Sequence, residues 1–89
     1  MELSVRFFAL YRERAGCNLA KVTLPEGTTV ADLVAAVRDR FPQLAPPDVK
    51  IVVAVNEEYA ELETSLQAGD EICFIPPVSG GQANPDTSP

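Results

Sequence analysis

One segment of this chain has a helical pattern of apolar residues, and the segments on both sides of it alternate as strands do. Apolar side chains recur every three or four positions within residues 30–41, at Val30, Leu33, Val34, Val37 and Phe41. This spacing predicts an amphipathic helix with one apolar stripe. A single helix can cover only one face of a sheet, so we expect an α+β domain whose second sheet face has no cover.

The predicted helix has recognisable ends. Thr29 predicts the N-cap, and Asp32, three residues later, makes an imperfect capping box with it. Pro42 predicts the end of the helix, because proline disfavours helical backbone in the residue before it.

Strands are predicted over residues 3–10, 19–24, 50–56, 59–62 and 71–75. Residues 12–16 predict a turn or one short helical turn that Gly16 closes. A right-handed crossover places the strand after the helix parallel to a strand of the first hairpin. The order β-β-α-β-β-β is that of the β-grasp, or ubiquitin-like, fold: a mixed five-stranded sheet with one main helix on one face.

The alternation also predicts which side chains face the helix. The inward set is Leu3, Val5, Phe7, Ile72 and Phe74. The opposite face would show Phe8, Leu10, Cys73 and Ile75. An uncovered apolar patch of this kind often marks a protein interface. The alternative is that Leu62 or Leu66 folds over it.

The composition excludes several classes of function. The 89 residues suffice for one domain, and the net charge of −6 contrasts with the basic surface of a nucleic-acid-binding domain. There is no histidine, and Cys17 and Cys73 are too few for a four-cysteine iron–sulfur cluster. No apolar run has the length of a membrane span. We expect a cytoplasmic protein with reduced cysteines, no metal and no bound cofactor, which binds neither nucleic acid nor membrane.

Four glutamates, Glu57, Glu58, Glu61 and Glu63, are close enough in sequence to suggest paired-carboxylate catalysis. Nothing apolar is predicted around them. A solvated acidic loop and edge strand is therefore the favoured interpretation.

The predicted reactive part follows the last strand. Pro76-Pro77 stop the strand and stiffen the chain, and Gly80-Gly81 come three residues later. Because glycine has no Cβ, this arm can pass through a channel too narrow for other residues. The chemistry would lie on the backbone carboxylate of Gly81 and would need no catalytic side chain. A plain Gly-Gly linker is the alternative.

Three blocks of sequence carry a family resemblance. They are Phe7-Phe8-Ala9 with residues 12–16, Ala54-Val55-Asn56, and Gly69-Asp70-Glu71 with residues 74–81. The resemblance covers residues 1–81, and it is to the small subunit of molybdopterin synthase, the MoaD-type sulfur carriers.

The resemblance implies a sulfur carrier that is not an enzyme on its own. Gly81 would hold sulfur as a thiocarboxylate, formed when an E1-like enzyme adenylates it with ATP and a persulfide donor supplies the sulfur. The arm would enter the large synthase subunit, which supplies the catalytic side chains for dithiolene formation in molybdenum cofactor biosynthesis. The implied partner contacts are Phe8, Ile75, Pro77, Val78, Ser79 and Gly80.

Residues 82–89 depart from the pattern of the resemblance. They are polar and are predicted to be disordered. While they remain attached, Gly81 carries a peptide bond and cannot be adenylated. We therefore expect a carrier domain over residues 1–81 and a tail that a metalloprotease removes; the alternative is an intact tail and no sulfur chemistry.

Three other functions fit the same features. The chain could carry sulfur for thiazole or cysteine synthesis, or it could be a ubiquitin-like modifier joined to lysines of other proteins. It could also be an interaction module whose Gly-Gly is only a linker.

Overall fold

The sheet and its helices were analysed in a computed structural model that describes residues 1–76. The elements are β1 (Glu2–Phe7), α1 (Ala9–Ala15), β2 (Leu19–Thr23), α2 (Val30–Arg40), β3 (Val52–Val55), β4 (Glu58–Tyr59) and β5 (Glu71–Ile75). The strand order is β2-β1-β5-β3-β4. The predicted α+β fold with a mixed five-stranded sheet is confirmed for this part of the chain. The predicted arm and tail, residues 77–89, lie outside the described residues.

The sheet is mixed because β5 lies parallel to β1, whereas the other neighbouring strands are antiparallel. The strand that follows the long helix, β3, runs in the same direction as β2, as the crossover rule predicts. It does not pair with the hairpin, however, since β5 lies between β1 and β3. The last strand therefore occupies the centre of the sheet.

Helix α2 begins at the predicted cap. The backbone N–H of Asp32 donates to the Thr29 hydroxyl (3.4 Å), and the N–H of Thr29 donates to the Asp32 carboxylate (3.2 Å). The capping box, expected to be imperfect, is thus complete. Helix α2 ends at Arg40, with Phe41 as its C-cap.

The core lies between α2 and one face of the sheet. All five side chains predicted to point inward, Leu3, Val5, Phe7, Ile72 and Phe74, are at most 1% exposed. The ring of Phe7 packs edge-on against Phe41 (5.3 Å between centroids) and Phe74 (5.9 Å). Leu33 and Val37 of α2 are fully buried in the same cluster.

A second helix interrupts the first predicted strand. β1 ends at Phe7, and the carbonyl of Phe8 accepts hydrogen bonds from the N–H groups of Tyr11 (3.0 Å) and Arg12 (3.4 Å). Ala9 enters this turn with φ 51°, and Gly16 closes α1 with φ 79°. The prediction of a strand through residue 10 was therefore wrong, and the short helical turn expected at 12–16 is a helix that begins three residues earlier.

Two further strands begin and end at other residues than the sequence predicts. Strand β3 spans Val52–Val55 rather than residues 50–56, and β4 spans Glu58–Tyr59 rather than 59–62. The chain leaves β4 early because the N–H groups of Val30 and Ala31 donate to the carbonyls of Thr64 (2.9 Å) and Leu62 (3.0 Å), which draws this segment to the start of α2.

Arginine side chains hold the loop that leads from α2 to β3. The guanidinium of Arg38 donates to the carbonyls of Ala45 (3.3 Å), Pro46 (3.2 Å) and Val49. Arg14 donates from α1 to the carbonyl of Leu44 (3.1 Å), whose side chain is fully buried. These bonds satisfy carbonyls of an irregular segment that closes one end of the core.

Candidate docking face and carrier arm

The face of the sheet opposite α2 carries one row of side chains across all five strands. Strand register places Leu19, Arg6, Cys73, Ala54 and Tyr59 directly beside one another in that order. Neighbours in such a row share a face of the pleated sheet, so they form a continuous surface. No helix among residues 1–76 covers this row.

Apolar side chains on this face line a shallow groove. Its lining includes Phe8 (40% exposed), Tyr59 (79% exposed), the half-buried Ile75 and Cys73, and Ala54. Phe8 reaches the groove although it has left β1, because it follows the inward-facing Phe7 in extended backbone. We call these five residues, together with the charged Arg6, Glu57 and Glu71 that also line the groove, the docking face.

The structure brings together two of the predicted partner-contact residues, Phe8 and Ile75, in one groove. Leu10 was wrongly assigned to this surface; it lies on α1 and does not line the groove. The alternative, in which Leu62 or Leu66 folds over the apolar patch, is also wrong. Leu66 is buried in the core, and Leu62 is 47% exposed. Residues 1–76 therefore leave the apolar patch expected on this face uncovered.

The sequence did not predict five residues of this groove, and Tyr59 is the most exposed apolar one among them. The other four are Arg6, Ala54, Glu57 and Glu71. The place of Tyr59 depends on the pairing of β4 with β3, which sets it opposite Ala54. The turn at Asn56-Glu57 was visible in the sequence. Together with the alternation of β3, this turn was the sequence signal from which the outward position of Tyr59 could have been predicted.

The charged side chains of the docking face are partly paired. Arg6 Nη2 lies 3.5 Å from Glu71 Oε2, and both side chains are about half exposed, so this bridge contributes little to stability. Burial, together with the carboxylate of Glu71, raises the pKa of the Cys73 thiol. Cys73 is therefore a neutral, weakly polar part of the groove floor rather than a thiolate nucleophile.

The arm starts at the groove. Ile75 ends β5 and lines the docking face, and Pro76 follows it as the last described residue. The predicted carrier residue Gly81 and the predicted contacts Pro77, Val78, Ser79 and Gly80 lie outside the described residues. Gly81 comes five residues after Pro76, so it can lie at most about 18 Å from Pro76.

Residues 1–76 contain no group of three or more His, Cys, Asp or Glu side chains arranged to hold a metal ion. In the same part of the chain, neither helix is long and apolar enough to cross a membrane.

A ubiquitin-like fold with an open sheet face and a glycine arm defines a class of small carrier and modifier proteins. The model of the ThiS family matches residues 5–81, and the chain belongs to that family.

Two curated relatives carry the same name. The chain is 37% identical over 83 residues to the molybdopterin synthase sulfur carrier subunit of Chlamydomonas reinhardtii, across 91% of this chain and all of that protein. It is 37% identical over 81 residues to the subunit of the same name from Escherichia coli, across 89% of this chain and 99% of that protein.

Solved structures share the fold. The crystal structure of SAMP1 from Haloferax volcanii superposes with a TM-score of 0.81 at 31% identity, and the match covers 91% of this chain and 100% of that one. A complex of subunits 1 and 2 of molybdopterin-converting factor from Helicobacter pylori contains a chain that matches with a TM-score of 0.64 at 26% identity, over 91% of this chain and 100% of that one.

Proposed function

We propose that this protein is the sulfur carrier subunit of molybdopterin synthase. It would donate sulfur from a Gly81 thiocarboxylate for dithiolene formation in molybdenum cofactor biosynthesis. The observation that carries the proposal is the open docking face, whose apolar groove ends at the residue from which the arm departs. The names of the curated relatives and their near-complete coverage support the pathway.

The docking face has the composition of a protein interface. The groove is lined by the aromatic side chains Phe8 and Tyr59, the kind of residue that contributes most binding energy in such contacts. Burying them on the large subunit would remove apolar area from water and fix the start of the arm. The Helicobacter pylori complex supports a large-subunit partner.

The chemistry requires an activated carboxylate at Gly81. The carboxylate oxygen attacks the α-phosphorus of ATP on the E1-like enzyme, and pyrophosphate leaves. The terminal sulfur of a persulfide then attacks the acyl carbon, and AMP leaves. A thiol then attacks the donor's sulfur in the resulting acyl disulfide, so a new disulfide forms between thiol and donor and the thiocarboxylate leaves. Every catalytic side chain belongs to the activating enzyme or to the large subunit, so this chain supplies no catalysis and binds no cofactor itself.

Attached residues 82–89 would block the first of these steps. We infer that a protease, of the metalloprotease type, cleaves the chain after Gly81. The expectation follows from the chemistry, since a peptide bond at Gly81 leaves no carboxylate oxygen to attack ATP.

The test uses the chain ended at Gly81, incubated with ATP, the E1-like enzyme and a persulfide donor. Intact-mass spectrometry is expected to show a gain equal to the replacement of one oxygen by sulfur. The matched control is the 89-residue chain under the same conditions, which is expected to keep its mass. A truncated chain that gains no sulfur would refute the proposal.

A second candidate is a ubiquitin-like modifier, which the similarity to SAMP1 from Haloferax volcanii favours. Both functions use the same activation of Gly81, but a modifier ends as an amide on a lysine of another protein. Because the last tryptic site before Gly81 is Lys50, a modified lysine would carry residues 51–81 as a branch in tryptic digests. Such branched peptides, lost when Gly81 is deleted from the gene, would establish this function. Their absence, together with thiocarboxylate formation, would leave the sulfur carrier.

A further inference from the structure

The turn between β3 and β4 places a glutamate where the backbone favours glycine. Asn56 and Glu57 have φ 50° and 73° and form the two central positions of a two-residue hairpin loop. Loops of this kind favour Asn-Gly, because a side chain at positive φ crowds the backbone. Asparagine tolerates this region, whereas a glutamate there is strained.

Asn56 has a structural reason for its position, and Glu57 has none. Asn56 Oδ1 accepts from the N–H of Glu71 (3.0 Å), and its Nδ2 donates to the Asp70 carboxylate (3.0 Å). Within residues 1–76, the carboxylate of Glu57 makes neither a hydrogen bond nor an ion pair. Backbone strain that local contacts do not explain is found at sites where a partner or ligand binds.

The location of Glu57 indicates which partner it would contact. Glu57 lines the same groove as the apolar residues of the docking face. The other charges there, Arg6 and Glu71, pair with each other and leave Glu57 as an unmatched negative charge. The charge of Glu57 also contributes to the raised pKa of the Cys73 thiol on the groove floor, so its field acts within the groove.

We propose that Glu57 is a specificity-determining residue of the docking face, which pairs with a lysine or arginine of the large synthase subunit. The inference rests on the proposed function and adds the chemistry of one contact to it. An apolar groove with one unmatched anion selects a partner surface that is apolar with one cation beside it. A partner without that cation would bury the Glu57 carboxylate unpaired, which weakens the wrong complex.

The test measures the affinity and association rate of this chain for the large subunit from the same genome, at low and at high salt. Glu57→Gln keeps the size and strain of the side chain and removes its charge. Glu58→Gln is the matched control, because Glu58 pairs with Val55 and does not line the groove. We expect Glu57→Gln to weaken binding about threefold at low salt, mainly through slower association, and Glu58→Gln to leave it unchanged. The effect of Glu57→Gln should disappear at high salt.

A third variant separates this role from a purely structural one. Glu57→Gly removes the strain and should raise the thermal midpoint, yet it should weaken binding as much as Glu57→Gln does. A turn residue with no partner would give a more stable protein whose binding is intact. Equal affinities for Glu57→Gln and the wild type at low salt would overturn the inference.

Loss of the proposed function gives a different result. If the wild-type chain fails to bind the large subunit, both proposals fall. If it binds and Tyr59→Ala weakens binding while Glu57→Gln does not, only the role of Glu57 is refuted.

Discussion

The two faces of this sheet are built from the same strands and differ in what covers them. On β5, Ile72 and Phe74 are fully buried beneath α2, whereas Cys73 and Ile75 remain partly open on the other side. Alternate residues of β5 thus lie in the core and on the docking face. We infer that the covered face stabilises the fold and the uncovered face binds the partner, and we expect that either can be changed with little effect on the other.

Two neighbouring substitutions on β5 test whether the two faces of the sheet are independent. Phe74→Ala opens a cavity in the core and is expected to cost about 3–5 kcal/mol of unfolding free energy in urea denaturation. Ile75→Ala removes a half-buried side chain of the docking face and should cost about 1 kcal/mol, while weakening binding to the large subunit about tenfold. Similar losses of stability for both variants would show that the faces are not separate.

A second prediction concerns the loop that closes the core. Arg38→Ala removes the hydrogen bonds to three carbonyls of that loop and should cost about 2 kcal/mol of unfolding free energy. The matched control is Arg40→Ala. Its exposed side chain donates to one carbonyl, that of Lys21, so a loss below about 1 kcal/mol is expected. Affinity for the large subunit should stay unchanged in both variants, and a binding defect in either would contradict the separation of the faces.

The cap of the covering helix gives a smaller effect. Thr29→Ala breaks the capping box and should lower the unfolding free energy by about 1 kcal/mol. Thr29→Ser keeps the hydroxyl and is expected to retain most of the stability. If alanine and serine behave alike in chemical denaturation, the cap does not stabilise α2.

The smallest effect is expected at the buried end of α1. The hydroxyl of Tyr11 is buried and has no hydrogen-bond partner among the described residues. Burial raises the pKa of this hydroxyl, and Arg38 and Arg14 oppose the shift. Tyr11→Phe should change the unfolding free energy by less than about 1 kcal/mol, with the more stable protein as the expected direction. A large loss of stability would mean that the hydroxyl has a bound water or another partner.

Much of the covered face could be predicted from the sequence. The period-two pattern of Leu3, Val5 and Phe7 predicts an inward set that the structure confirms, and the helical stripe at 30–41 predicts α2. These patterns are strong because burial on one face constrains every second or every third to fourth residue.

The open face was harder to predict, because its composition depends on pairing between distant strands. The start of helix α1 was missed since Phe8 and Leu10 continue the apolar run of β1, and nothing in the local pattern shows the left-handed backbone at Ala9. Tyr59 was missed because its face is set by the register between β3 and β4. The carrier arm and the removal of residues 82–89 stay predictions from the sequence.

The most direct test of the central claim is the intact mass of the protein purified from its own cells while they make molybdenum cofactor. The proposed sulfur carrier predicts a chain that ends at Gly81 and in which a fraction of molecules carries sulfur in place of one terminal oxygen. A population that retains residues 82–89 and carries no sulfur would contradict it.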